Sequence, residues 1–207
     1  MSIVIGFVAP EYIVMCADER VCRNGNIHSE DFRKVYYLNP NLIFGFAGNV
    51  VECYLILSDY LQDFNLYDDE KYKIDIEKTL YLSFTDVCDN VRKKIEEISK
   101  GYDRVLDISL MIGGFVDGES RIKCFSMKAD KLCEDEIGGE KGVLKHFVFG
   151  SKEEEKILIN ELNSMDRVNI NNLQKVFQKT IKESSKTNET INDKMKSVFI
   201  EKPKDIK

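Results

Sequence analysis

Residues 3–8 (IVIGFV) and 12–17 (YIVMCA) are apolar without alternation, and only Ala9, Pro10 and Glu11 separate them. A strand with one wet face alternates apolar and polar side chains, so two unbroken runs call for apolar cover on both faces. Pro10 with Glu11 marks the turn between them. The chain is therefore expected to open with a hairpin buried on both sides. Pairing across that turn puts Ser2 opposite Asp18.

A second hairpin follows, residues 34–38 (KVYYL) and 42–46 (LIFGF), turned at Asn39-Pro40-Asn41; it brings Lys34 near Phe46 and Ala47. Asn49 can cap a helix running to about residue 64, with Val50, Tyr54, Leu57 and Leu61 on one face. An acidic connector, residues 68–70, leads to a second helix over about 75–100, ended by Gly101. Strands return at 107–115 and 121–127 around Asp117-Gly118. A glycine-rich loop at 138–142 precedes a strand at 145–149. Gly150-Ser151 opens a helix over about 152–165, in which Glu153-Glu154-Glu155 reads as a solvated first turn, where acids suit the dipole. A last helix at about 171–185 and a strand at 195–200 close the pattern. Grouped strands and grouped helices imply an α+β fold with sheets stacked between helix layers. With no repeat and no composition break, residues 1–200 read as a single domain. Residues 201–207, with Lys202, Lys204 and Lys207, read as a polar tail.

Composition narrows the function. The 207 residues are 43% hydrophobic and 32% charged, enough for one sizeable core. Thirty basic against 36 acidic side chains give a net charge of −6 with no basic block, which argues against nucleic acid and anionic membrane as partners. The longest apolar runs reach about six residues, where a membrane span needs roughly 20. The first run is short and lacks a basic flank, so no signal peptide is expected. The six cysteines form no C-x-x-C pair, and His28 and His146 are far apart, so zinc and c-haem signatures are absent and no metal or cofactor is expected. Cys16 sits inside an apolar run and reads as a core thiol. Reduced thiols point to a cytoplasmic protein.

Ser2, Asp18, Arg20, Lys34 and Gly48 converge at the ends of the two hairpins. A carboxylate ending a buried strand needs a cationic partner, so one reading is an ion pair pinning two hairpins. The other starts from Ser2. Cells remove an initiator methionine when the next residue is small. Ser2 would then carry a hydroxyl and a free α-amine, whose ordinary pKa of about 7.7–8.0 suits a general base. A nearby ammonium such as Lys34 would lower it further. One residue would then supply both nucleophile and base.

The stretches S-I-V-I-G-F-V, C-A-D-E-R, F-R-K-V and F-A-G-N resemble, in register, proteasome-type β subunits of the N-terminal nucleophile hydrolases; the bacterial heat-shock-locus peptidase is similar too. The resemblance runs from Ser2 to Ile200, dense before Glu52 and thin afterward. It implies a four-layer αββα sandwich of two antiparallel sheets flanked by helices. It also implies a threonine/serine-type endopeptidase in which Ser2 is the nucleophile, Lys34 lowers the pKa of the amine and Asp18 orients Lys34. The Gly48 N–H would donate to the oxyanion, with Arg20 in support. Gly150-Ser151 resembles the family's Gly-Ser-Gly, whose serine hydrogen-bonds the terminal amine; Lys152 replaces its third glycine. Near the end the family shows an Asp followed two residues on by Ser-Gly-Gly. Here Asn188 and Ile191 fall at the Asp and Ser positions, so a plain polar loop is the alternative. Phe46 and Val50 match first-pocket positions, or are simply core. As pocket residues they imply small or medium apolar side chains in the substrate.

The resemblance implies a homo-oligomeric ring acting on peptides or unfolded protein, with an ATP-dependent unfoldase as a candidate partner. Two other readings stand beside it: an amidase on a small molecule with the same nucleophile, and a catalytically silent ring-forming subunit.

Overall fold

The opening hairpin forms as its apolar runs require. β1 (Val4–Ala9) and β2 (Tyr12–Asp18) pair antiparallel in the computed structural model, which describes residues 2–23, 26–62 and 72–203. Met1, the acidic connector and residues 204–207 of the tail lie outside the described residues. A small hairpin follows, β3 (Val21–Arg23) with β4 (Asn26–Ser29). Next come β5 (Val35–Asn39) and β6 (Leu42–Gly48), then β7 (Ile108–Val116), β8 (Glu119–Lys128) and β9 (Lys131–Gly138). These last five make one antiparallel sheet in chain order. β10 (Lys145–Phe149) and β11 (Met195–Glu201) flank the opening hairpin, giving a four-stranded sheet ordered β10-β1-β2-β11.

The alternation of side chains along β1 explains why both of its faces are apolar. Val4 and Val8 pack with Val35, Ile43, Met111 and Ile122 of the five-stranded sheet. Ile3, Ile5 and Phe7 pack instead with Leu158 of α4 (Lys152–Asn163) and Leu173, Phe177 and Ile181 of α5 (Ile170–Ser184). The far face of the five-stranded sheet, with Phe44, Leu110, Ile112 and Phe125, is covered by α1 (Val50–Leu57) and α3 (Phe84–Lys100). α2 (Ile76–Thr79) is a single short turn before α3. The layers run helix, sheet, sheet, helix, which is the expected four-layer sandwich. The two sheets meet so closely that a Cβ on Gly6 would lie 2.1 Å from Met111 Sδ.

Several elements differ from expectation for local reasons. Asn49 does cap α1, accepting from the Val51 and Glu52 amides, but the α-helix stops at Leu57 and a 3₁₀ turn over Ser58–Tyr60 follows. The helix expected over 75–100 is broken, because Ser83 and Asp86 form a capping box that starts α3 afresh. β9 has no apolar signature. Its charges find cross-strand partners instead, Glu134 with Lys123 (2.9 Å) and Glu136 with Arg121 (3.0 Å). The turn into β9 puts Ala129 and Asp130 at φ 46° and 63°. β11 includes Glu201, and the Lys202 amide donates to Glu11 O at 2.8 Å, so the chain stays on the sheet past residue 200. Among the described residues no helix is long and apolar enough to cross a membrane. None of the six cysteines is in a disulfide, and Cys16 is buried.

Candidate active site

The register of the first hairpin is one step from the expected one. Val4 lies opposite Ala17, so Ile3, not Ser2, is level with Asp18. The Asp18 side chain nevertheless turns into the site. Its Oδ1 accepts from the Ile3 amide (3.0 Å) and from Lys34 Nζ (2.9 Å), and its Oδ2 accepts from the Arg20 amide (3.0 Å). Asp18 is fully buried and Lys34 is 2% exposed. Two charges taken out of water in this way persist only with such partners.

Lys34 donates to Asp18 Oδ1, to Ser2 Oγ at 2.9 Å and to the Arg20 carbonyl. Those three acceptors match the three N–H groups of an ammonium. Lys34 therefore sits between the alcohol and the acid as a cation with every donor occupied. Burial opposes both charges: it pushes the Asp18 carboxyl up and the Lys34 ammonium down, and the attraction within the pair works against both shifts. Asp18 ends β2 and Ser2 leads into β1 of the four-stranded sheet, while Lys34 leads into β5 of the other, so the contact bridges the two sheets.

Gly48 ends β6 at φ +99°, and a Cβ there would lie 2.3 Å from Asp107 O. Both facts reserve the position for glycine. Its amide direction follows from ladder parity. The Phe46 amide donates to Lys34 O (3.1 Å), whereas the Asn49 amide donates to Asp107 O (2.6 Å) on the opposite edge. Gly48 shares the parity of Phe46, so its N–H points toward the β5 edge. There β5 has ended and the chain has turned away at Lys34.

A cleft of about 1050 Å³ opens at this point, lined by Ser2, Lys34, Phe46, Gly48, Val50, Gly150 and Thr190 among others. Phe46 and Val50 are core and wall at once. Both are buried, and Phe46 stacks on Tyr72 with ring centroids 4.9 Å apart, so one edge of an aromatic cluster floors the cleft.

Arg20 lines the cleft, and Ser151 follows Gly150, which also lines it. The Arg20 guanidinium holds Glu30 (2.9 Å) and the Glu189 carbonyl, which ties the 188–191 loop to the end of β2. Ser151 is the N-cap of α4: its Oγ accepts from the Glu153 (3.2 Å) and Glu154 (3.4 Å) amides. Both contacts use the hydroxyl as acceptor, so its O–H remains a donor.

Three features escape the sequence reading. The run Glu153-Glu154-Glu155 is not uniformly solvated, since Glu154 is 4% exposed. Its carboxylate accepts from the Ser151 amide and from Asn188 Nδ2 at 3.0 Å. The S-x-x-E spacing from Ser151 to Glu154 was a usable signal for the cap, though not for the burial. The 188–191 loop is a built turn, in which Asn188 Oδ1 accepts from the Thr190 amide (3.1 Å) and hydroxyl (2.7 Å), and Ile191 is buried among α4 and α5. Glu52, buried on α1, accepts from the Asp107 amide (2.7 Å) and from Arg104, and so fixes the strand end that contacts Gly48.

Residues 2–195 match the family model described as Proteasome subunit. No curated protein matches the sequence.

Proposed function

The chain belongs to the proteasome subunit family, and we propose that it is an N-terminal serine peptidase that cleaves peptide bonds through an acyl-enzyme on Ser2. The observation that carries this reading is the Lys34 ammonium, 2.9 Å from both Ser2 Oγ and Asp18 Oδ1. A fully occupied ammonium has no lone pair with which to take the serine proton. A base is still needed, and the α-amine of Ser2, once freed from whatever precedes it, is the group that Ser2 itself supplies.

In this mechanism Ser2 Oγ attacks the carbonyl carbon while its proton passes to the α-amine. Lys34 steadies the developing charge at Oγ, and Asp18 holds Lys34 protonated and aimed. The Gly48 N–H donates to the oxyanion. Collapse of the tetrahedral intermediate expels the amine product, which takes the proton from the α-ammonium. Water, activated by the same α-amine, then hydrolyses the ester on Ser2. The cleft volume suits an extended peptide better than a small amide. Phe46 and Val50 favour a small or medium apolar side chain at its floor. Family subunits assemble into oligomeric rings, and we place this chain in a homo-oligomeric cytoplasmic ring served by an unfoldase.

A second reading, a ring-forming subunit without turnover, is favoured by one observation: Asn188 stands where the family has an aspartate, and its side chain is spent within the fold on Glu154 and Thr190. Intact mass and labelling separate the two. Native protein is expected to lack Met1. An electrophilic inhibitor of terminal-nucleophile peptidases is expected to add to Ser2 in the wild type and to nothing in Ser2→Ala. Retained Met1, or label that persists on a cysteine in Ser2→Ala, would favour the silent subunit.

A further inference from the structure

Glu154 is a buried carboxylate that the proposed mechanism leaves unused. The other buried acids have cations: Asp18 has Lys34 at 2.9 Å, Glu52 has Arg104, and Glu19 has Lys196 at 3.8 Å. Among the described residues, no lysine or arginine pairs with Glu154. A carboxylate is rarely buried without a positive partner or a full set of donors. Its known donors are two, the Ser151 amide and Asn188 Nδ2.

We infer that Glu154 is a positioning residue that supplies the counter-charge for the α-amino group of Ser2, acting together with Asn188. This rests on the peptidase reading for its catalytic meaning, but not for its electrostatics. The register of β10 on β1 carries the argument. The ladder ends with Val4 opposite Phe149, so Ser2 and the Gly150-Ser151 turn leave the two strands at the same end. Glu154 Oε2 holds the Ser151 amide, and the same oxygen is 3.1 Å from where a Cβ on Gly150 would be. Gly150 and Ser2 line one cleft. The carboxylate therefore stands at the end of β10, against the turn that leaves the sheet beside Ser2.

Asn188 completes the unit. A carboxylate only accepts, so Asn188 must present its NH₂ to Glu154 and its carbonyl oxygen to Thr190. Glu154 thereby fixes the amide orientation, and with it the turn that sets Thr190 in the cleft wall. Burial opposes the charge on Glu154, yet the hydrogen bonds from Ser151 and Asn188 outweigh it and hold the carboxyl below its ordinary range. It is ionised wherever the amine titrates. The other charged groups around the Ser2 end are Lys34 with Asp18, Arg20 with Glu30, and Glu19. Lys34 pushes the amine pKa down, and Glu154 pushes it up.

The test uses full-length chain released with Ser2 as its first residue from a cleavable fusion. Trace acetylation across pH, read by mass spectrometry, gives the pKa of the Ser2 α-amine without requiring turnover. Glu154→Gln is expected to lower that pKa by about one unit, because a nearby negative charge favouring the ammonium is lost. Returning the charge in Glu154→Gln/Asn188→Asp is expected to bring it back, and Glu155→Gln, on the exposed side of the same turn, to leave it alone. The pH profile of peptide hydrolysis should follow: the acid limb of kcat, set by the same amine, is expected to move about one unit down in Glu154→Gln and to return in the double variant, with KM little changed. Should Glu154→Gln not fold, Glu154→Asp withdraws the charge by one methylene and is expected to move the amine part way. An unmoved amine in these variants, or a double variant no closer to wild type than the single, overturns the inference. An amine that moves as described in a chain that hydrolyses nothing overturns the peptidase reading and leaves this one standing.

Discussion

Lys34 meets an alcohol, a carboxylate and a carbonyl, and the sign of each contact fixes its part. It gives a proton-bearing bond to all three, so its charge is what it contributes. Burial raises the Asp18 pKa and lowers that of Lys34, so the charged pair exists over a narrower pH range than an exposed carboxylate and ammonium would share. Below the raised Asp18 pKa the acid is neutral, and above the lowered Lys34 pKa the cation is gone. In a plot of kcat/KM against pH the acid limb belongs to the α-amine, which must be neutral to act as base, and the alkaline limb should begin below the ordinary ammonium value of about 10.4, where Lys34 loses its charge. Lys34→Met leaves Asp18 buried without a cation. That should cost about 3–5 kcal/mol of stability at neutral pH. A carboxyl whose folded-state pKa is raised loses stability as pH rises through that pKa. The deficit of the variant should therefore shrink in acid, which urea unfolding at several pH values would show. A deficit that does not change with pH would mean that Asp18 is not charged in the variant at neutral pH. Ser2 and Asp18 were legible as neighbours because one hairpin joins them, to within one step of register, and Lys34 joined them through the match of four short stretches to the family pattern. Glu154 and Asn188 were not legible, because they are 34 residues apart and meet only through the packing of α4 and α5 on the sheet.

At the scale of elements, the strand ends are where chemistry and packing meet. β6 finishes at Gly48, α1 begins after Asn49, and β7 starts from a segment held by Glu52. The Gly48 amide is thus aimed by three elements at once. Gly48→Ala would put a Cβ against Asp107 O and impose a side chain at φ +99°. The backbone must rotate to relieve both, turning the amide away from the cleft. The expected result is a fall in kcat of about 10²–10³, the usual cost of losing one oxyanion donor. KM should change little, and the strain should cost about 1–3 kcal/mol of stability. Undiminished kcat in a folded variant would show that another group donates to the oxyanion. The elements that the sequence announces are those with unbroken or periodic apolar positions: β1, β2, β5 to β8, β10, β11, α1, α4 and α5. β9 escaped because its stability comes from paired charges on an exposed strand, which look like loop composition. The break before α3 escaped because a capping box inside an otherwise helical pattern competes with continuation, and only tertiary packing decides between them.

The whole molecule divides the site between two sheets. Ser2 and Asp18 hang from the four-stranded sheet, Lys34 and Gly48 from the five-stranded one, so the 2.9 Å contact of Lys34 with Ser2 depends on sheet spacing. That spacing rests in part on a close contact of the sheets at Gly6, against Met111 and Ile122. An alanine methyl at position 6 would fall 2.1 Å from Met111 Sδ and 3.2 Å from Ile122 Cδ1. Met111 has no room to retreat, since it is fully buried in the layer between the sheets. Gly6→Ala should therefore overpack that layer and cost about 1–3 kcal/mol. Met111→Ala should cost about 2–5 kcal/mol by opening a cavity. Because the new methyl partly fills the space that the methionine leaves, the double variant should lose less than the sum of the two. Denaturant unfolding of all four chains reads this coupling. If the sheets also set the active-site distance, Gly6→Ala should lower kcat more than it raises KM, although residue 6 does not line the cleft. The double variant should recover kcat together with stability. A coupling in stability with no matching coupling in kcat would separate the two roles, and would show that the hairpin ends hold Ser2 in place without help from the layer beneath them.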